Sequence, residues 1–141
     1  MSMLTQETGS FSDDTSTAVT AAFDGLGVAE RATVLGVGID IESVDRWRSP
    51  GLRLESLFST SELEYCRSRS DPAVHLAGFW CAKEAVFKAV SQHLSVSLRD
   101  IVITHRVDGS LVVEIKGRAS PRVLVSISHT RKTAAAVALF V

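Results

Sequence analysis

Three charged side chains interrupt an otherwise apolar segment, AGFWCAKEAVFKAV, which spans residues 77–90. Glu84 and Lys88 are four residues apart and share one face of a helix, whereas Lys83 lies about 100° around the helix from Glu84. Glu84 and Lys88 can form an exposed ion pair worth about 0.2–0.5 kcal/mol. They can also hold Mg²⁺ and a phosphate, because Mg²⁺ prefers carboxylate oxygens and a lysine ammonium group binds phosphate. Lys83 would then be solvated or would contact another phosphate.

Further candidates for this chemistry lie near the ends of two apolar segments. Asp40 nearly ends the β-branched segment at residues 33–41 and supplies a second carboxylate for a shared Mg²⁺. Ser128, His129 and Thr130 end the segment at residues 123–130. Taken singly, Asp40 could be a turn residue and His129 a hydrogen-bonded histidine at a strand edge. Only the combination and order of these residues favour a functional site.

The helices that must position these residues follow from capping signals and periodicity. Ser59 and Glu62 have the spacing of a capping box, which predicts a helix start. A second helix is predicted after Pro72, over roughly residues 73–92. Apolar residues at steps of three and four form its expected core stripe: Leu76, Phe79, Ala82, Val86 and Ala89. The three charges are expected to avoid the core.

Strands complete the predicted architecture. Residues 33–41 predict a buried strand, and residues 100–107 and 110–115 flank Asp108-Gly109, a dipeptide typical of a two-residue type I′ hairpin turn. Residues 123–130 and 134–141 predict a second hairpin. One strand, two helices and consecutive strands predict an α+β fold, with helices packed on a mainly antiparallel sheet.

Length and composition narrow the class of protein. A chain of 141 residues fits one folded domain, predicted at residues 33–141, after a flexible extension at residues 1–32 that lacks the features of a signal peptide. A formal charge of -1 argues against a general nucleic-acid partner, and the absence of a long apolar run argues against a membrane partner. Cys66 and Cys81 lack metal-ligand spacing, which favours reduced thiols and a cytoplasmic location.

Three blocks of the sequence, in order, resemble the 4′-phosphopantetheinyl transferases, and more closely their holo-acyl-carrier-protein synthase type. The blocks are Gly38-Ile39-Asp40-Ile41, then Trp80-x-x-Lys83-Glu84-Ala85-x-x-Lys88-Ala89, then Ser126-Ile127-Ser128-His129-Thr130. The likeness runs from about Val34 to Val141. It implies a Mg²⁺-dependent transfer of the phosphopantetheine arm of coenzyme A to a serine of an apo acyl carrier protein. Adenosine 3′,5′-bisphosphate is released, and the reaction serves fatty acid or related lipid biosynthesis.

The resemblance also implies roles for individual residues. Asp40 and Glu84 would hold Mg²⁺, while Glu84, acting through a metal-bound or bridging water, and Lys88 would be catalytic. Coenzyme A would contact Lys83, Lys88, Ser128, His129 and Thr130. Arg46 and Arg53 would dock the carrier protein, with Arg67 and Arg69 extending that basic rim. Short members of the family are homotrimers whose active sites lie between subunits, so a homotrimer is expected.

Two departures from the family pattern keep other functions open. Phe79 stands where the family usually has an arginine, and residues 91–97 replace a glycine-rich loop. A non-catalytic subunit that binds coenzyme A or a carrier protein is therefore an alternative, as is a structural or regulatory module with solvated charges. The residues do not identify the carrier, which could belong to a fatty acid, polyketide or peptide pathway.

Overall fold

The computed structural model describes residues 33–141, so the predicted extension at residues 1–32 lies outside the described part of the chain. Within residues 33–141 there are two α-helices, α1 (Thr60–Arg67) and α2 (Pro72–Val90), and neither is long and apolar enough to cross a membrane. The strands are β1 (Gly36–Ser43), β2 (Ile101–His105), β3 (Leu111–Ile115), β4 (Arg118–Ala119), β5 (Val123–His129) and β6 (Thr133–Phe140). Short 3₁₀ turns cover Val44–Arg48, Leu54–Ser56 and Leu98–Asp100.

The predicted α+β fold is confirmed, but the strands form two antiparallel sheets. Their strand orders are β1-β6-β5 and β2-β3-β4. In the first sheet β1 pairs with β6 from the far end of the chain, so that Asp40 lies opposite Ala136, which in turn lies opposite Ile127 of β5. The register therefore places Asp40 and the end of β5 in the same sheet, with β6 between them.

The predicted hairpin between β2 and β3 is present, but its predicted type I′ turn is wrong. Gly109 has φ of 83°, whereas Asp108 is not among the described residues with positive φ, and a type I′ turn needs positive φ at both central residues. The Arg106 N–H donates to the Ser110 carbonyl at 2.8 Å, and the Gly109 N–H donates to the Arg106 carbonyl at 2.9 Å. The loop is thus a tight turn followed by a glycine in the left-handed conformation, which is a common form of three-residue hairpin loop.

Helix α2 forms the centre of the core. Its predicted apolar stripe is buried, from Leu76 to Ala89, and α1 begins with the predicted capping box at Ser59 and Glu62. The prediction that all three charges avoid the core is wrong for Lys83, which is only 1% exposed. One face of α2 packs on the β1-β6-β5 sheet, and α1 and β2 cover another. A helix surrounded in this way has no wide solvated face, so one charged side chain is buried.

Two glycines bring α2 into direct contact with β1. A Cβ atom at Gly38 would lie 1.8 Å from the Ala85 carbonyl oxygen, and one at Gly36 would lie 1.9 Å from the Ala89 carbonyl oxygen. Real Cβ atoms do not approach this closely, so only glycine permits the observed spacing of helix and strand. This close approach places Asp40 of β1 beside Glu84 and Lys88 of α2.

We expect Gly38→Ala to lower the free energy of unfolding by about 1–3 kcal/mol or more, because the new methyl group would collide with the backbone of α2. Chemical denaturation of the purified variant measures this. Gly51→Ala is the matched control, since a Cβ atom there has no neighbour within 4 Å. Equal stability of the two variants would contradict the close packing of α2 on β1.

Candidate active site

Asp40 and Lys88 join β1 to α2 at the centre of the candidate site. The Lys88 ammonium group donates to Asp40 Oδ1 at 2.8 Å and to the Ile39 carbonyl oxygen at 2.9 Å. The hydrogen bond with Asp40 raises the pKa of Lys88, and the side chain of Lys88 is 47% exposed. Lys88 is therefore charged and accessible to a ligand.

Glu84 lies one helical turn before Lys88, beside the same pair. Burial raises the pKa of Glu84, the charge of Asp40 raises it further, and the charge of Lys88 opposes the shift. A carboxylate whose pKa is raised is a better proton acceptor near neutral pH than an ordinary glutamate. The structure thus brings together Asp40, Glu84 and Lys88, three of the residues on which the sequence prediction rests.

The oxygens at this place suit a hard cation. Asp40 Oδ2 is buried and has no hydrogen-bond partner, although Oδ1 is bound by Lys88. Within residues 33–141 there is no cluster of three or more His, Cys, Asp or Glu side chains that could hold a metal ion unaided. Mg²⁺ is usually held by one or two carboxylates plus substrate phosphates and waters, so the donor set fits that ion when a phosphorylated ligand is present.

Glu42 is a member of the site that the sequence analysis missed. Its carboxylate accepts two hydrogen bonds from Arg46 Nη1, at 3.0 and 3.2 Å, and its side chain is 14% exposed. Its charge also raises the pKa of Glu84. Residues two apart in a strand share a face, so the position of Asp40 in the predicted strand could have identified Glu42 as a neighbour. Arg46, the proposed docking residue, is thus paired with the site while its side chain stays 52% exposed.

The structure does not bring Lys83 to this cluster. Its ammonium group donates to Glu62 Oε2 at 3.1 Å and to the Ile101 carbonyl oxygen, and it is buried on the side of α2 that faces α1 and β2. Burial lowers the pKa of Lys83, and the charge of Glu62 opposes this. The prediction that Lys83 contacts a phosphate is therefore wrong. Lys83 lies about 100° around the helix from Glu84, and the side of α2 at that angle faces the core.

The three residues at the end of β5 lie apart from Asp40. Ser128 and His129 are exposed, and β6 separates β5 from β1, which corresponds to two strand spacings or about 10 Å. Thr130 Oγ1 accepts from the backbone N–H groups of Lys132 and Thr133 at 3.2 and 3.1 Å, so it shapes the β5–β6 turn. Within one chain, these side chains do not join the Asp40 cluster.

His129 instead borders an aromatic cavity of about 260 Å³. Phe79 stacks on Tyr65 and His105, with ring centroids 5.2 and 5.5 Å apart, and His75 lies edge-on to His129 at 5.9 Å. Burial lowers the pKa of His75 and His105, which favours their neutral forms. The sequence analysis missed this cavity, because its walls come from α1, α2, the β2–β3 hairpin and β5 and share no sequence motif.

The remaining docking candidates are surface arginines. Arg53 is exposed, Arg67 pairs with Glu55 at 3.2 Å, and the Arg69 guanidinium lies 4.2 Å from the centroid of the Tyr65 ring. An additional arginine, Arg48, binds both carboxylate oxygens of Asp71, at 2.9 and 2.8 Å. Exposed pairs of this kind contribute little to stability, so these arginines can exchange partners at low energetic cost.

Comparison with known proteins identifies the class. Residues 36–139 match the model of the 4′-phosphopantetheinyl transferase superfamily, and the chain belongs to this family. Its similarity within the family is to holo-(acyl-carrier-protein) synthases. The protein of that name from Protochlamydia amoebophila is 38% identical over 118 residues, which cover 75% of this chain and 97% of that protein. Fatty acid synthase subunit alpha of Candida albicans is 38% identical over 74% of this chain and 6% of its own length.

Solved structures show the same fold. Helicobacter pylori holo-(acyl-carrier-protein) synthase in complex with coenzyme A superposes with a TM-score of 0.61 at 26% identity, covering 74% of this chain and 99% of that chain. The acyl carrier protein synthase of Mycobacterium tuberculosis is 32% identical with a TM-score of 0.56, covering 76% and 96% of the two chains. The described domain therefore corresponds to nearly the whole of each of these structures.

We expect Asp40→Asn to lower the pKa of Glu84, because the substitution removes a nearby negative charge and releases Lys88 from its carboxylate partner. Titration of the Glu84 carboxyl carbon by ¹³C NMR measures the shift. Asp45→Asn serves as the control, since Asp45 is 77% exposed and is absent from the charges that act on Glu84. An unchanged pKa in Asp40→Asn would contradict the electrostatic coupling of β1 and α2.

Proposed function

We propose that this chain transfers the 4′-phosphopantetheine arm of coenzyme A to a serine of an apo acyl carrier protein in the presence of Mg²⁺, releasing adenosine 3′,5′-bisphosphate. The observation that carries the proposal is the convergence of Asp40, Glu84 and Lys88 where α2 meets β1. The similarity to holo-(acyl-carrier-protein) synthases, one of them solved with coenzyme A, supports the same reaction.

The proposed metal site consists of Asp40 and Glu84. An ion bound there would neutralise the pyrophosphate of coenzyme A and polarise its phosphorus. Lys88 would donate to a pyrophosphate oxygen, because its ammonium group is charged and exposed beside these carboxylates. Its hydrogen bond to Asp40 Oδ1 holds it at the site before a ligand arrives.

Glu84 is the proposed general base. It accepts the proton of the carrier serine hydroxyl, directly or through one bridging water, and its raised pKa suits this task. The serine oxygen then forms a bond to the phosphorus that carries the pantetheine arm. The bond from that phosphorus to the bridging oxygen breaks, and adenosine 3′,5′-bisphosphate leaves with the electron pair.

A homotrimer is part of the proposal, supported by an apolar patch on the outward face of the β1-β6-β5 sheet. The patch consists of Val37, Ile39, Ile41, Leu124 and Val137, which are 63%, 69%, 69%, 54% and 39% exposed. A contiguous apolar surface of this kind marks an interaction site. Packing of further copies on it would allow Ser128 and His129 of one subunit to approach Asp40 of the next, which the separation of β5 and β1 within one chain prevents.

The cavity beside His129 is the proposed binding site for part of coenzyme A, and the exposed Arg46 and Arg53 are the proposed docking residues for the carrier protein.

A cytoplasmic location is also part of the proposal. Cys66 and Cys81 are buried free thiols, and burial raises the pKa of both to about 12, which keeps them protonated and unreactive.

A second candidate function is a non-catalytic subunit that binds coenzyme A or a carrier protein. The neutral aromatic wall around Phe79 favours it, because an arginine at that position would give a phosphate a cationic partner. Retention of both carboxylates and Lys88 in one cluster favours the catalytic reading instead.

Transfer of the arm is tested by incubating the protein with coenzyme A, Mg²⁺ and a panel of apo carrier proteins from fatty acid, polyketide and peptide pathways. Intact mass spectrometry should show an addition of about 340 Da, the mass of one transferred arm in this phosphoryl transfer. We expect Asp40→Ala and Glu84→Ala to lower the rate by about 100-fold or more, since each removes a ligand or base. A chelator should have the same effect.

Glu64→Ala is the matched control for this assay, because Glu64 is an exposed carboxylate on α1. It should retain the wild-type rate. Binding of coenzyme A that requires Mg²⁺, without modification of any carrier protein, would favour the non-catalytic candidate. No binding of coenzyme A under any condition would exclude the transferase and would leave only a subunit that binds a carrier protein; no binding of any carrier protein as well would exclude both candidates.

The trimer is tested by placing a charge in the apolar patch. We expect Ile39→Glu to convert the trimer to monomers, because Ile39 lies opposite Val137 at the centre of the patch and a buried unpaired carboxylate is costly. Light scattering coupled to size exclusion measures the mass. Val107→Glu, in the fully exposed turn between β2 and β3, should leave the trimer intact. A monomeric wild type would refute the proposed assembly.

A further inference from the structure

The distribution of apolar residues along α2 does not by itself define the rotation of the helix about its own axis. Of its 19 residues, 14 are buried, so no single apolar stripe distinguishes one orientation of the helix from another. Several of the buried side chains are small and interlock little with their neighbours: Ala77, Ala82, Ala85 and Ala89. The contact with β1 is made by Gly36 and Gly38 against helix carbonyl groups, and its directional part is confined to the last turns of the helix, where the half-exposed Lys88 side chain hydrogen-bonds to Asp40 and to the Ile39 carbonyl oxygen.

The buried pair of Lys83 and Glu62 supplies a directional contact on another face of α2. Lys83 donates to both oxygens of Glu62, at 3.1 and 3.3 Å, and to the Ile101 carbonyl oxygen. Glu62 also accepts from the backbone N–H groups of Ser59 at 2.8 Å and Ile103 at 2.9 Å. The pair therefore connects α2 to the first turn of α1 and to β2, which belong to the part of the fold outside the β1-β6-β5 sheet.

Stability alone does not account for this pair. The side chains of Lys83 and Glu62 are 1% and 0% exposed, so both charges have lost their water. Replacing a buried ion pair by apolar residues of similar volume is often neutral or stabilising, whereas specification of register is the best-attested use of buried polar groups. Lys83 immediately precedes Glu84, so any rotation of α2 that moved one of these side chains would move the other.

We propose that the Lys83–Glu62 pair is a positioning device that sets the rotation of α2 and thereby holds the Glu84 carboxylate against Asp40. The role of Glu84 in the reaction rests on the proposed function, whereas the geometric part of the inference does not. Lys83 and Glu62 are positioning residues, because neither contacts the carboxylate cluster.

The test replaces both partners at once, in the double variant Glu62→Leu with Lys83→Met. We expect its thermal midpoint to fall modestly, because removal of the two buried charges is close to neutral but the Ser59 and Ile103 N–H groups lose their acceptor. Crystal structures of the two proteins should show the Glu84 carboxylate displaced from Asp40 by about 1 Å or more, and kcat should fall about 100-fold, the usual effect of such a misplacement. KM for coenzyme A should change less than kcat, because the long, half-exposed side chain of Lys88 can still reach a phosphate after a small displacement of α2.

Two further variants keep the test decisive. If the first double variant does not fold, Glu62→Gln with Lys83→Met removes both charges but retains an amide oxygen for the Ser59 and Ile103 N–H groups. Val90→Ala creates a cavity in the last turn of α2, where Val90 is fully buried, and should lower the thermal midpoint without moving Glu84 or changing kcat.

A double variant whose Glu84 carboxylate stays within about 0.5 Å of its wild-type position, with unchanged kcat, would overturn the inference. So would an equal loss of kcat in Val90→Ala, because the effect would then follow the loss of stability and not the position of Glu84. If the wild type transfers no phosphopantetheine, the proposed function fails, but the crystallographic comparison still decides whether the pair positions Glu84.

Discussion

Direct contact between the backbones of α2 and β1 is the constraint on which the candidate site depends. Gly36 and Gly38 let the Ala89 and Ala85 carbonyl groups approach the strand more closely than any side chain would permit. Because of this approach, Lys88 reaches both a carbonyl oxygen and a carboxylate of β1, and the charge of Asp40 acts on Glu84. A larger residue at either glycine would separate the two elements that carry the proposed metal ligands.

Sequence patterns predicted the parts of the site that depend on local geometry. Helical spacing placed Glu84 and Lys88 on one face, and the order of the three motifs associated them with Asp40, as the structure now shows. Capping signals likewise located the start of α1 at Ser59. The pattern could not locate Lys83, because a helical projection describes one helix and contains nothing about the α1 carboxylate and β2 carbonyl group that surround Lys83 in the fold.

The division into two sheets and the aromatic cavity were also beyond sequence reasoning. Both depend on contacts between residues far apart in the chain, such as the pairing of Gly36 with Phe140 and the stacking of Tyr65 on His105 at 4.1 Å. The cavity gives the departure at Phe79 a physical meaning. Phe79 completes a stack of rings where an arginine would supply a permanent charge, so this position offers dispersion and stacking to a ligand, while the Arg69 guanidinium lies against the Tyr65 ring.

The charges of the site explain why a cation belongs to the proposed reaction. When all are ionised, three carboxylates, on Asp40, Glu42 and Glu84, face two cations, on Lys88 and Arg46, which leaves the cluster with one net negative charge. A cluster of that sign repels the pyrophosphate of coenzyme A. A divalent cation shared by Asp40 and Glu84 would reverse the sign and satisfy the unpartnered oxygen of Asp40. Lys88 could then leave Asp40 for the phosphate without exposing an uncompensated carboxylate.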